Sequence, residues 1–194
     1  MGMSSTFANL EDEMQRLVDA AQKEDIFLRV LGGLAIKVHS PHANHRSLER
    51  KYPDIDFVTD KSGAKKLMDF LPGMGYTPNK TLNTLSGDRR QLWYDEDRGR
   101  QIDVFIGDFT MCHTLPLADR LHIEPLTLPL AELFLSKAQI VELNRKDVLD
   151  LLTLLVDHEV GPGDDETINA DLIAELCAKD WGLYTTVSMT IQKL

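Results

Sequence analysis

The stretch Lys51–Lys61, KYPDIDFVTDK, places carboxylates at positions 54, 56 and 60 around an apolar run of strand-like composition. A strand turns successive side chains to opposite faces. Asp54 and Asp56 therefore share one face, with α-carbons about 7 Å apart. Ile55 and Phe57 point the other way, into a core. Like charges on one strand face repel, so packing alone does not ask for this arrangement. A positive group between them would remove the repulsion. Asp60 reads differently, as the N-cap of the helix that SGAKKLMDF begins.

The same parity recurs in GRQIDVFIG. Ile102, Val104 and Ile106 form one apolar face, and Asp103 projects from the opposite one. If the two strands are neighbours, three carboxylates converge. A hard divalent cation such as Mg²⁺ prefers oxygen ligands. Carboxylates around one or two such ions suit phosphoryl-type transfer, where one ion activates the attacking hydroxyl and the other steadies the departing phosphate oxygens. Taken singly, DID is an exposed strand face and IDVFI an isolated acid. Together with the Gly32-Gly33 turn upstream, the metal reading is preferred. FLRVL is a short β-prone run, the glycines follow, and LAIKVH has helical character. Glycine lets a backbone approach a ligand closely, and a helix start offers free N–H groups to an anion. The alternative is a tight strand-to-helix turn without a ligand.

Bulk properties bound the reading. A chain of 194 residues with 43% hydrophobic content can bury one sizeable core, or a small domain with a helical appendage. A formal net charge of −10 argues against a surface that grips nucleic acid as a whole, but leaves room for a local basic groove. Cys112 and Cys177 lie far apart and read as free thiols of a reducing, cytoplasmic compartment. Neither a signal peptide nor a membrane-length apolar run is expected.

Periodicity predicts a helix over 4–24, capped by Ser4 or Ser5, then a strand at FLRVL and a helix after the glycines. A polar loop over 40–53 follows, and with its borders it holds His39, His42, His45, Arg46, Arg50 and Lys51. IDFVTD is a strand and GAKKLMDFLPGMGY a helix. YTPNKTLNTL, RRQLWYDED and GRQIDVFIG read as successive strands. From about Leu126 the pattern is helical: PLAELFLSKAQIVEL, RKDVLDLLTLLVDHEV, a break at GPGDD, then ETINADLIAELCAK and WGLYTTVSMTIQKL. The expected fold class is α+β, a mixed sheet flanked by helices with a helical C-terminal portion. The expected domains are residues 1–125 and 126–194.

The ordered set VLGG, DID and IDVFI resembles the nucleotidyltransferase superfamily, the fold shared by DNA polymerase β, the tRNA CCA-adding enzymes and the aminoglycoside nucleotidyltransferases. The resemblance implies that Asp54 and Asp56 bind Mg²⁺, with Mn²⁺ as a substitute. Asp103 would complete the metal site and help deprotonate the acceptor hydroxyl. Gly32 and Gly33 would contact the phosphates of a nucleoside triphosphate. The sequence is more closely similar to the AbiEii-like group of nucleotidyltransferase toxins, through LTLPLAELFLSKAQIVELNR, with Lys137, and NRKDVLDLL, with Arg145, Lys146, Asp147 and Asp150. An antitoxin partner comes with that likeness. CAKDWGLYTT also looks like an ending of that family, without a mechanism attached.

Lys137 is read as a point charge on the triphosphate, or else as a snorkelling side chain on a half-buried helix. Lys146, Asp147 and Asp150 are read as a helix start, or as an ion pair that orients Lys137 or the substrate. The loop between Gly33 and Asp54 is longer than usual for the superfamily, and its Arg46 and Arg50 are candidates for contact with the triphosphate or an acceptor. Its histidines are read as part of a solvated loop. Trp93, Tyr94, Trp181 and Tyr184 are read as core or interface residues. Cys112-His113 lacks a third orienting group and is no nucleophile pair. The function expected is Mg²⁺-dependent nucleotidyl transfer to an acceptor hydroxyl on RNA (for instance a tRNA end), a protein or a small molecule. The competing readings are a non-catalytic nucleotide-binding or protein-interaction module of the same fold, and a nuclease. The Gly-Gly turn and the lack of a basic face speak against the nuclease.

Overall fold

A computed structural model describes residues 6–194. In chain order the elements are α1 (Leu10–Lys23), β1 (Arg29–Leu31), α2 (Gly32–His39), β2 (Ile55–Thr59), α3 (Lys61–Gly73), β3 (Thr77–Pro78), α4 (Lys80–Ser86), β4 (Arg90–Asp95) and β5 (Arg100–Ile106). They continue with β6 (Asp108–Thr110), β7 (Thr114–Pro116), α5 (Leu130–Ala138), α6 (Arg145–Asp157), β8 (Glu159–Gly161), β9 (Thr167–Asn169), α7 (Ala170–Lys179) and α8 (Trp181–Lys193). No helix among the described residues is long and apolar enough to cross a membrane.

The chain forms two compact units. The first takes the described residues up to Leu31, then Tyr52–Asp108 and Pro116–Thr127. Its sheet has five strands in the order β1-β2-β5-β4-β3. The pair β2–β5 is parallel and its neighbours are antiparallel, so the sheet is mixed. One face follows the parity of the sequence. Ile55 and Phe57 on β2, Trp93 on β4 and Ile102 and Val104 on β5 are all fully buried. Each such side chain contributes about 1.5–3 kcal/mol. Helix α3 is tied to this face, where Gln91 Nε2 donates to the Ala64 carbonyl at 2.9 Å. Asp60 caps α3 as expected, its Oδ1 accepting from the Gly63 N–H at 2.6 Å.

Two expectations change in this unit. The first helix begins at Leu10, because Asn9 is the cap and its Oδ1 accepts from the N–H of Glu11 and Asp12. The proposed Ser4 and Ser5 caps fall outside the described residues, and Phe7 stands before the helix, half exposed. The strand expected over YTPNKTLNTL is confined to Thr77–Pro78, and Lys80–Ser86 is helical. Asn79 caps that helix by accepting from Leu82 N–H at 3.0 Å. Asn83 then presents its amide to the backbone of Leu92, accepting from its N–H at 2.7 Å and donating to its carbonyl at 3.2 Å. A side chain thus does for β4 what a neighbouring strand would have done.

The second unit takes Gly32–Lys51, Phe109–Leu115 and Leu128–Leu194. Its centre is α5, in which every residue but Lys137 is buried. Helices α2, α6, α7 and α8 contact it. The helix expected to run through IVEL stops at Ala138, and Asn144 caps α6. The helix expected from ETIN starts later, at Ala170. Thr167–Asn169 form β9 beside β8, and Asn169 then serves as cap for α7.

Candidate functional site

In the first unit, the parallel register of β2 and β5 aligns Asp56 with Asp103. The sequence places both on the face opposite the Phe57–Val104 core, and the pairing makes them nearest neighbours. Asp54 lies in the segment just before β2 and is exposed, while Asp56 is half-buried. Asp103 is only 5% exposed. A carboxylate so withdrawn from water needs compensation. Its Oδ1 accepts from Arg90 Nε at 2.6 Å and its Oδ2 from Gln101 Nε2 at 2.8 Å.

Arg90 is the first residue of β4 and pairs across the strands with Phe105, so it reaches Asp103 diagonally. Its guanidinium carbon stands 5.4 Å from the centre of the Phe105 ring. The hydrogen bond to Asp103 pushes the Arg90 pKa up against the opposing effect of burial, and the charges of Asp103 and Asp56 add to it. Two carboxylates therefore act on one guanidinium. Sequence reasoning missed Arg90 and Gln101. Their identity is visible in RRQLWYDED and GRQIDVFIG, but their partner depends on a strand register the sequence does not print.

These carboxylates suit Mg²⁺ in donor chemistry, because they offer hard oxygens from adjacent strands. Among the described residues, however, no three His, Cys, Asp or Glu side chains are gathered as a set that could hold a metal ion. A cation already stands at Asp103, and it is a guanidinium. A cavity of about 670 Å³ in the same unit, along α1 and α3, is lined by residues such as Lys23, Ile26, Lys66 and Phe70, and by none of the three aspartates.

The second unit holds the other predicted residues. Gly32 has φ +74°, a conformation that favours glycine, directly after β1 ends. Gly33 has a different constraint, since a Cβ there would lie 1.5 Å from Arg50 Nη2. Arg50 grips Asp150 with both arms of its fork, Nε to Oδ1 at 2.7 Å and Nη2 to Oδ2 at 2.8 Å. Lys137 Nζ lies 3.1 Å from Asp150 Oδ2 and 3.3 Å from Asp147 Oδ1. Both open readings of this cluster are present: α6 starts at Arg145 with Asp147 in its first turn, and Asp147 and Asp150 pair with Lys137, while Lys146 is exposed. Two cations and two carboxylates balance, all with side chains largely withdrawn from solvent. Arg46 is exposed and stands apart from these pairs.

The loop histidines do not converge. His39 meets His158 edge-on at 6.3 Å between ring centres, and His42 Nδ1 pairs with Asp157. Burial, and then the charge of His158, pushes the His39 pKa down. Trp93 is core, whereas Trp181 and Tyr184 are exposed. Cys112 and Cys177 are free thiols.

The chain is similar to a solved structure, the solution structure of the antibiotic-resistance factor ANT(2'')-Ia, which is described as having substrate-regulated conformation dynamics. The TM-score is 0.52 at 12% sequence identity, over 93% of this chain and 90% of that one. No family model matches the chain, and no curated protein matches it. At this identity the likeness speaks for the fold alone. The fold is α+β and nucleotidyltransferase-like.

Proposed function

We propose that this chain transfers a nucleoside monophosphate from a nucleoside triphosphate to an acceptor hydroxyl. The observation that carries this reading is the β2–β5 register, which sets Asp56 beside Asp103 in a fold of nucleotidyltransferase type. The hydroxyl oxygen attacks the α-phosphorus, the bond from that phosphorus to the bridging oxygen breaks, and pyrophosphate leaves. Asp54, Asp56 and Asp103 are the residues that would hold Mg²⁺ or Mn²⁺. Bound there, the metal supplies neutralisation of phosphate charge and a more acidic acceptor hydroxyl. The acceptor's proton passes to a carboxylate oxygen, and Asp103 is assigned that role by the family resemblance. Gly32, Gly33 and Lys137 are assigned to the nucleotide on the same ground, and Arg46 and Arg50 by their charge in the loop that leads to Asp54. Arg50 and Lys137 already hold carboxylate oxygens, and phosphate oxygens suit the same planar fork and point charge. Positioning and electrostatics supply the rate, as in phosphoryl transfer generally.

The motif order supports the AbiEii-like group within this reading, and with it an antitoxin partner and a tRNA acceptor. The net charge of −10 favours a protein or small-molecule acceptor instead. A second reading, a non-catalytic nucleotide-binding or protein-interaction module, is favoured by one observation: Asp103 is paired with Arg90.

Calorimetric titration of each nucleoside triphosphate with Mg²⁺ separates the two. The wild-type chain is expected to bind one triphosphate with about micromolar affinity, and Asp54→Asn/Asp56→Asn to lose that binding. Equal binding by the double variant removes the metal role of the aspartates and leaves the second reading. Absence of binding by the wild type removes the nucleotide as well.

A further inference from the structure

We propose that Arg90 and a divalent cation compete for Asp103, so that Arg90 sets how tightly this sheet edge takes a metal. The proposal rests on the nucleotidyltransferase reading of Asp54, Asp56 and Asp103. Its basis is the pairing of Asp103 with Arg90 and Gln101. Both oxygens of Asp103 are engaged, one by Arg90 and one by Gln101. A cation approaching the pair of Asp56 and Asp103 meets a guanidinium 2.6 Å from one of those oxygens. Two positive charges at one buried carboxylate repel, and the repulsion grows as water is excluded. The guanidinium must therefore leave for Asp103 to become a ligand.

Arg90 is built to leave. Its side chain is 47% exposed, while that of Asp103 is 7% exposed. Withdrawal therefore returns the guanidinium to water, where it is well solvated. The face of Phe105, directly across the strands, already lies 5.4 Å from the guanidinium carbon while Arg90 holds Asp103, so cation–π attraction persists when that bond is released. Asp103, by contrast, cannot follow, because Gln101 on its own strand holds Oδ2. The exchange swaps one positive charge for another on a fixed carboxylate. It keeps the buried charge compensated both with and without metal.

The test is titration of Mn²⁺ alone, and separately Mg²⁺ alone, into the full chain and its Arg90→Gln, Arg90→Lys and Asp103→Asn variants, followed calorimetrically. Glutamine keeps a hydrogen-bond donor near Asp103 and removes the charge. Arg90→Gln is expected to bind the cation about tenfold or more tightly than wild type, with Arg90→Lys close to wild type. Combining Asp103→Asn with Arg90→Gln should erase the gain. The Arg90 Nε–H resonance of the wild type should shift on addition of Mg²⁺. Equal affinity of wild type and Arg90→Gln, with a clear cation site in both, overturns the competition and leaves the aspartates as ligands. Failure of every variant to bind either cation overturns the competition and the metal reading together. A folded-state check by thermal melting accompanies each variant. If Arg90→Gln does not fold, an unshifted Arg90 resonance in cation-saturated wild type overturns the proposal.

Discussion

Gly33 shows at the scale of one residue how two readings of a glycine part. The sequence offers it to a nucleotide phosphate, and the structure fills the space of its missing Cβ with the Arg50 guanidinium, 1.5 Å from Nη2. That guanidinium is the end of a flexible side chain and can swing aside, so the main cost of Gly33→Ala is electrostatic, with a smaller steric share from Asp150 Oδ2 at 3.2 Å from the added Cβ. It is the loss of the bidentate hold on Asp150, about 1.5–3 kcal/mol for charge-assisted hydrogen bonds. After Arg50→Ala the same substitution should cost less, leaving only the contact with Asp150 Oδ2. A double-mutant cycle by urea unfolding measures the coupling. Additive costs would mean that the guanidinium is not what Gly33 makes room for. At this scale the sequence was readable where one strand's parity suffices. Asp56 and Asp103 were legible as sharing a face because alternation fixes faces, whereas Asp54 precedes β2, where alternation no longer decides. Arg90 was not, since a diagonal partner depends on which residue stands opposite which.

Helix α1 shows what an element owes to its ends. Its residue Glu13 is fully buried and takes hydrogen bonds from Tyr76 Oη at 2.7 Å, Phe7 N–H at 2.9 Å, and Arg16 Nε and Nη2 at 2.8 and 2.6 Å. The helix is thereby tied to the segment before it and to the approach to β3. Burial alone would raise the Glu13 pKa, but the bonds from Arg16, Tyr76 and Phe7 outweigh it, and the net shift is downward. The folded state thus binds this proton less readily than the unfolded chain does. Its contribution is complete above the ordinary carboxylate value of about 4 and is lost as pH falls through the lower folded value. Asp95 shifts the same way, burial being outweighed by Thr6 and Arg100. Acid titration of stability should therefore show a loss below the ordinary carboxylate range, and Glu13→Gln should flatten part of that slope. A variant with an unchanged acid limb would remove Glu13 from the account. The caps of such elements are partly legible. Asp60 was, but α4 was not, because the Tyr, Thr and Leu of YTPNKTLNTL carry strand propensity, while Asn79 and Asn83 decide through their side-chain amides.

For the whole chain, the order of motifs sufficed for the α+β class, because strand, Gly-Gly, helix and acidic strand follow one another in sequence as they do in the fold. The division into units was harder to read, because composition changes near 126 while the second unit draws on segments far upstream of that point. Helix α2 lies in that unit, with Leu34, Ala35 and Ile36 buried, and it packs with α5 and α6. Removing residues 32–51 would expose that surface of α5 and cost about 1.5–3 kcal/mol for each large side chain left without its partner. It would also take Arg50 from Asp150, leaving a buried carboxylate to Lys137 alone. A stability of 5–15 kcal/mol, ordinary for a domain, does not survive losses of about that size. The fragment 126–194 is therefore expected to lack a cooperative unfolding transition and to bind a dye that reports exposed apolar surface. Circular dichroism of the fragment through a urea series checks this. A sharp transition like that of the full chain would mean that the C-terminal helices carry a core of their own and that α2 only decorates it.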